Sequence, residues 1–215
     1  MHIGILGGTG KEGAGLAQRW ALAGHQVIIG SRDAERAKAK AAELAAAAPG
    51  RRVSGMSNAD AVRAAEVVVV TVPASGLRAT LSDLVAPCRG KVVISTVVPL
   101  TFGGGRLFTP PPQGSSAEEA QEILGPEARV VASFHHIAAH ELSAGDHPIE
   151  CDLLLCGGDA AAKELVTDLG RSMGLRAVDV GALTNAGPLE GITAVLATIN
   201  RRYKLKNSGI KITGV

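Results

Sequence analysis

A short apolar run, His2 to Leu6, opens directly into Gly7-Gly8-Thr9-Gly10-Lys11-Glu12-Gly13, and a helical pattern begins at once. Gly8, Gly10 and Gly13 stand at the G-x-G-x-x-G spacing. Such a segment suits a strand, a tight turn and a helix whose first N–H groups face a pyrophosphate. A second apolar run, Gln26 to Gly30, ends in Ser31-Arg32. An acidic residue at this point, about 20 positions past the glycines, would bind a ribose 2′-hydroxyl and repel a 2′-phosphate. Serine and arginine reverse that preference, because a hydroxyl donates to phosphate and a guanidinium forks onto it. The segment therefore predicts an NADP(H) site built from Gly8, Thr9, Gly10, Lys11, Glu12, Gly13, Ser31 and Arg32. Arg36, one turn on, adds a second cation, and Asp33 is placed to cap the helix between them.

Composition narrows the architecture around that site. Apolar residues make up 46% of the 215 and aromatics only 2%, so Ala, Val, Leu and Ile must build the core. Such a core suits a buried parallel sheet covered by helices. A net charge of +2 with so few aromatics argues against a nucleic-acid surface. Cys88, Cys151 and Cys156 form no C-x-x-C pair, and their odd number argues against a disulfide framework. A first strand at the N-terminus leaves no room for a signal peptide, and the longest apolar run, Val67 to Val72 with Thr71 inside it, is too short for a bilayer. These features predict a cytoplasmic protein with no membrane partner.

Strand and helix patterns alternate, which predicts an α/β fold of the Rossmann type, a doubly wound and mainly parallel sheet. Strands are expected near 2–6, 26–30, 53–56, 66–72, 91–96 and 129–134. Helices are expected near 11–23, 33–48, 58–64, 75–86 and 116–124, the last opened by a capping box at Ser116 and Glu119. Residues 101–116, with three consecutive glycines and Pro110-Pro111-Pro112, must form a long loop. The expected division is a dinucleotide-binding domain at 1–140 and a smaller C-terminal α/β domain at 141–215 that closes the substrate site. The second unit holds strands at 152–156 and 175–179 and helices at 160–173 and 184–202.

In a doubly wound sheet, ligands gather at the carboxyl ends of the strands. Two strands end in Val72-Pro73 and Val98-Pro99, where proline halts the ladder and leaves the tips to a ligand. A third ends in Phe134-His135-His136-Ile137, and His135 is the candidate to touch a substrate. His136 and His140 could share a helix face, but no acidic or thiol partner stands at ligand spacing, so no metal is expected. No serine–histidine–acid set or carboxylate pair can be recognised.

Several segments together resemble the NADPH-dependent reductases of the deazaflavin coenzyme F420. They are Gly7-Gly8-Thr9-Gly10, Gly30-Ser31-Arg32, Val72-Pro73, Val98-Pro99, Phe134-His135-His136-Ile137-Ala138-Ala139, Cys156-Gly157-Gly158-Asp159, Leu189-Glu190 and Gly209-Ile210-Lys211. The resemblance spans the whole chain. It implies that Thr9, Ser31, Arg32 and Arg36 surround the 2′-phosphate of NADP. It also implies that His135, Ile137 and the backbone at Ala139 line the nicotinamide and deazaflavin rings, and that Gly209, Ile210 and Lys211 close over the deazaflavin. The implied activity is direct hydride transfer between NADP(H) and coenzyme F420 as co-substrate, with His135 orienting a ring, in a homodimer. The competing readings are an NADP-dependent ferric or flavin reductase, a relative of the imine or hydroxyacid reductases, and a nonenzymatic NADP(H)-sensing protein. The imine and hydroxyacid reductases resemble one another in a long all-helical second domain, whereas the second unit expected here contains strands.

Overall fold

The computed structural model describes residues 1–47, 50–145 and 147–215. Its strands are β1 (His2–Leu6), β2 (Gln26–Ser31), β3 (Val53–Ser57), β4 (Val67–Val70), β5 (Val92–Ser95), β6 (Arg129–Ser133), β7 (Asp152–Gly157) and β8 (Arg176–Asp179). All eight form one sheet in the order β3-β2-β1-β4-β5-β6-β7-β8. The chain winds outward from β1 to β3, returns to pair β4 with β1, and winds outward the other way. Each pair is parallel except β6–β7. This is the doubly wound Rossmann arrangement, with its topological switch between β1 and β4.

The helices are α1 (Lys11–Leu22), α2 (Ala34–Ala46), α3 (Asn58–Ala64), α4 (Leu77–Leu81), α5 (Val85–Cys88), α6 (Ser116–Leu124), α7 (Ala139–Ser143), α8 (Ala160–Arg171) and α9 (Ala186–Tyr203). Strand β4 shows why the sheet is buried on both faces. Its four valines are fully enclosed, Val67 and Val69 facing the core under α1 and α8, Val68 and Val70 facing the core under α4 and α6. The only tryptophan, Trp20, locks α1 in place: its indole N–H donates to the Leu169 carbonyl at 3.2 Å. Its ring meets Phe134 edge-on, centroids 5.4 Å apart.

Several expected elements take a different form. The helix expected over 75–86 is broken into a 3-10 turn at Ala74–Gly76, α4, a second 3-10 turn at Ser82–Leu84, and α5. The hydroxyls of Thr80 and Ser82 donate to the carbonyls of Gly76 and Arg78, competing with regular helix hydrogen bonds. The capping box sits one residue earlier than expected. Ser115 caps α6 by accepting from the Glu118 N–H at 3.0 Å, and its own hydroxyl meets the Glu118 carboxylate at 2.8 Å. Helix α7 was not expected at all. The end of the helix expected at 33–48 lies outside the described residues. Position 140, the expected domain boundary, falls inside α7, and the sheet crosses this region through the β6–β7 pair. Among the described residues, no helix is long and apolar enough to cross a membrane.

Candidate active site

The glycine turn joins β1 to α1 at the sheet's switch point. The Gly8 N–H lies 3.2 Å from the Ile5 carbonyl and 3.3 Å from that of Gly30, which pins the turn between β1 and β2. Gly13 has to be glycine: a Cβ there would lie 2.6 Å from the Thr71 Oγ1 and 2.7 Å from the Gly8 Cα. Gly10 is the N-cap of α1, and no side chain caps the helix. The helix therefore presents its first N–H groups to whatever enters above.

Above that turn opens a cleft of about 1070 Å³. Of the residues expected to hold NADP(H), Thr9, Gly10, Lys11, Glu12, Ser31, Arg32, Arg36, Val72, Pro73 and Val98 line it. Gly8 and Gly13 lie in the packing beneath the turn, and Pro99 and Ala139 are not on the cleft wall. Arg32 and Arg36 are exposed, and neither forms an ion pair among the described residues. Asp33 faces away from them in function: its carboxylate caps α2, accepting from the N–H groups of Glu35 at 3.0 Å and Arg36 at 3.2 Å. Ser57, Asn58, Thr71 and Thr96 also line the cleft, and the sequence reading missed them. Their shared signal is position, since each stands at or just past the carboxyl end of a parallel strand.

Glu12 is the unusual member of this wall. It lies in the first turn of α1 beside Thr96, and its carboxyl oxygen Oε1 is buried with no hydrogen-bond partner among the described residues. Burial pushes its pKa up to about 8, and the Thr96 hydroxyl beside it pulls the other way only when its hydrogen turns from the Val70 carbonyl to the carboxylate.

The chain turns sharply where β6 ends. Phe134 adopts φ 66°, a conformation a bulky side chain holds only when its surroundings impose it. The two histidines that follow are buried. His135 Nδ1 lies 3.2 Å from the Ser133 carbonyl, which places a ring hydrogen there, and the backbone of Leu189 and Ser95 also borders the ring. Burial and the neighbouring His136 ring drive the His135 pKa down to about 3, so the ring is neutral at ordinary pH. His136 Nε2 sits between the Asp152 carbonyl (3.0 Å) and the Leu154 N–H (3.2 Å), filling the ladder where β6 has turned away from β7. His136 precedes α7 and shares no helix face with His140.

A second pocket, about 400 Å³, lies beside this turn and is lined by Ile137, Ala138, Glu141, His147, Cys151 and Gly209, among others. It brings together two of the residues expected at the second substrate, Ile137 and Gly209. His135 lines neither pocket, and Lys211 stands exposed on the tail beyond. The tail is anchored firmly. A Cβ on Gly209 would lie 2.7 Å from the Cys151 Cβ. The Asp152 N–H donates to the Ile210 carbonyl at 2.8 Å, and the Ile212 N–H donates to the Asp152 carboxylate at 2.6 Å. Arg176 grips that carboxylate with two N–H groups, at 2.9 and 2.5 Å, and holds it below the usual carboxylate range.

Two polar side chains fix the frame from a distance. Arg19 of α1 is buried and donates to the carbonyls of Glu141, Leu142 and His147, tying α7 and the pocket rim to the helix behind the glycine turn. Glu190 of α9 accepts from the N–H groups of Ser116 and Ala117, both at 3.0 Å, and so caps α6 from another helix. Burial raises its pKa to about 7.

A family model described as NADP oxidoreductase, coenzyme F420-dependent, matches residues 2–99. The F420-dependent NADP reductase of Methanothermobacter marburgensis is 40% identical over 222 residues, covering 100% of this chain and 99% of that protein. The F420-dependent NADP reductase of Methanocaldococcus jannaschii is 38% identical over 224 residues, again across 100% of this chain and 99% of its own length. Among solved structures, a protein described as a putative F420-dependent NADP-reductase from Arthrobacter sp. FB24 superposes with a TM-score of 0.84. It is 28% identical and covers 99% of both chains.

Proposed function

The chain belongs to the F420-dependent NADP reductases, and we propose that its two pockets serve hydride transfer between NADP(H) and coenzyme F420. NADP(H) occupies the 1070 Å³ cleft, and the deazaflavin lies toward the Phe134–Ala139 turn and the tail. The observation that carries this reading is the pairing of an uncapped α1 N-terminus with two cations, Arg32 and Arg36, that have no protein partner in an ion pair among the described residues. A pyrophosphate and a 2′-phosphate are the anions that fit those two features.

The two coenzymes, when bound, supply a hydride donor and a hydride acceptor, so the protein's task is to bind, orient and exclude water. Residues 1–140 hold NADP(H), and residues 141–215 close the second site. Ser31 and Arg32 set the preference for the 2′-phosphate. His135, buried and neutral behind the Phe134–Ala139 turn, orients a ring through that turn and does not deliver a proton. Ile137, the backbone at Ala139, Gly209, Ile210 and Lys211 bound the deazaflavin. Lys211, with Arg201, Arg202, Lys204 and Lys206 before it, draws in an anionic co-substrate. A homodimer is supported by the exposed Val195 and Tyr203 on α9 (58% and 65% accessible). A cytoplasmic setting is supported by three free, buried cysteines.

The test is absorbance of oxidised F420 mixed with NADPH or NADH and this protein. Rapid bleaching with NADPH and slow bleaching with NADH is the expected result. No bleaching with either, from protein that still binds NADPH, overturns the assignment of F420.

A further inference from the structure

Glu12 stands where the cleft passes from one half of the sheet to the other. The 2′-phosphate end of the cleft is marked by Ser31 and Arg32 at the tip of β2. Thr96, beside Glu12, directly follows β5, and its Oγ1 donates to the Val70 carbonyl at 3.2 Å, at the tip of β4. A dinucleotide anchored over β2 and crossing the switch point sets its far, redox-active end over β4 and β5. Glu12 therefore lies on the nicotinamide side. Thr96 has a single hydroxyl hydrogen. While it is given to Val70, the oxygen can only accept, and its natural partner is a protonated carboxyl. When Glu12 ionises, the same hydrogen can turn to the carboxylate.

Resting on the assignment of the cleft to NADP(H), we propose that Glu12 reads the redox state of the nicotinamide. Its neutral carboxyl favours the uncharged ring of NADPH, and its carboxylate favours the cationic ring of NADP⁺. At tenfold coupling, NADP⁺ binding then releases up to about half a proton more than NADPH binding does, from Glu12 to solvent. Half-buried at the foot of the cleft with one carboxyl oxygen enclosed, Glu12 has its pKa pushed up to about 8, within reach of neutral pH. Lys11 on the same turn, Arg32 and Arg36 across the cleft, and Asp83 on the far wall are the other charged groups lining it. His135, the nearby histidine on β6's turn, is neutral across this range. The ratio of the two affinities cancels the 2′-phosphate, which both forms carry, and Glu12→Gln, which leaves the other charges in place, separates the share of Glu12 from theirs.

The experiment is calorimetric titration of the full-length protein with NADP⁺ and with NADPH from pH 6 to pH 9.5, in buffers of differing ionisation heat. The expected result is a Kd ratio that shifts toward NADP⁺ by on the order of tenfold as pH rises, as one charge pair in a partly screened site would give. Proton release with NADP⁺ should be seen near pH 7.5, and the ratio should be flat in Glu12→Gln. A flat ratio in the unaltered protein, or the same slope in Glu12→Gln, overturns the proposal. Should Glu12→Gln fail to fold, the difference in proton release between NADP⁺ and NADPH with the unaltered protein decides alone, and no difference overturns the proposal. If neither coenzyme binds at any pH, the assignment of the cleft itself has failed.

Discussion

Replacing Arg32 with alanine should separate recognition of the 2′-phosphate from every other part of coenzyme binding. The guanidinium is exposed on the cleft rim and, among the described residues, has no carboxylate in an ion pair, so its removal leaves no buried charge behind. Ser31 is held by the Asp33 N–H at 3.2 Å and Asp33 by the start of α2, so the neighbouring contacts stay in place. The loss is then one charge-assisted hydrogen-bonded fork. Such contacts contribute about 1.5–3 kcal/mol, and solvent exposure favours the low end, so KM for NADPH should rise about 10- to 30-fold. KM for NADH should hardly change. Arg36→Ala should cost less, since the side chain adds field without a defined fork, and the two changes should not add because they serve one anion. Raising the ionic strength should weaken NADPH binding in the unaltered protein more than in Arg32→Ala. Steady-state kinetics with both coenzymes is the assay. Equal losses for NADPH and NADH would refute the assignment of Arg32, pointing instead to a disturbed α2 terminus.

Three further outcomes are expected. His135→Ala should raise KM for F420 and lower kcat by less than about a hundredfold, because a neutral ring that orients a substrate costs less than a lost general acid; a larger fall in kcat with unchanged KM, read by steady-state kinetics, contradicts it. Gly209→Ala forces a Cβ to within 2.7 Å of the Cys151 Cβ, so it should lift the tail, raise KM for F420 and leave NADPH affinity by fluorescence titration unchanged; equal weakening of both would place the tail outside the second site. The coenzyme-free protein should lose thermal stability between about pH 6.5 and 8, since Glu12 and Glu190 have raised pKa values and their contribution fades as pH rises; between about pH 4.5 and 6.5 those two carboxyls offset the depressed pKa values of His135 and His136, so stability should be nearly flat there and fall below it. A melting temperature that climbs from pH 6.5 to 8 rejects that balance.

What the sequence disclosed was set by how far each interaction reaches along the chain. The β1–α1 turn, the Asp33 cap and the Ser31-Arg32 pair are legible because their partners lie within a few residues or one strand away. The bounds of α6 agree with the expected 116–124, but its cap was placed one residue late because Ser115 and Ser116 each have a glutamate three residues on. What breaks the tie is Glu190, which takes the N–H groups of Ser116 and Ala117 and leaves Ser115 as the capping residue. The five-residue α7 has no strong pattern of its own and is held by Arg19, more than a hundred positions earlier. The same holds for chemistry. Glu12 could be assigned to the cleft from its place in the glycine turn, but its burial depends on Thr96, at the end of a strand on the other side of the switch point. Gly209 is visible as a glycine, yet the need for it comes from Cys151, and the anchor of the tail comes from Asp152 and Arg176. Deleting residues 208–215 would therefore strip Asp152 of the Ile212 N–H and Arg176 of two carbonyl acceptors, loosening β7 against β8 as well as opening the pocket. Single substitutions at Gly209 and Lys211 can distinguish a substrate-closing tail from a structural one, and the deletion cannot.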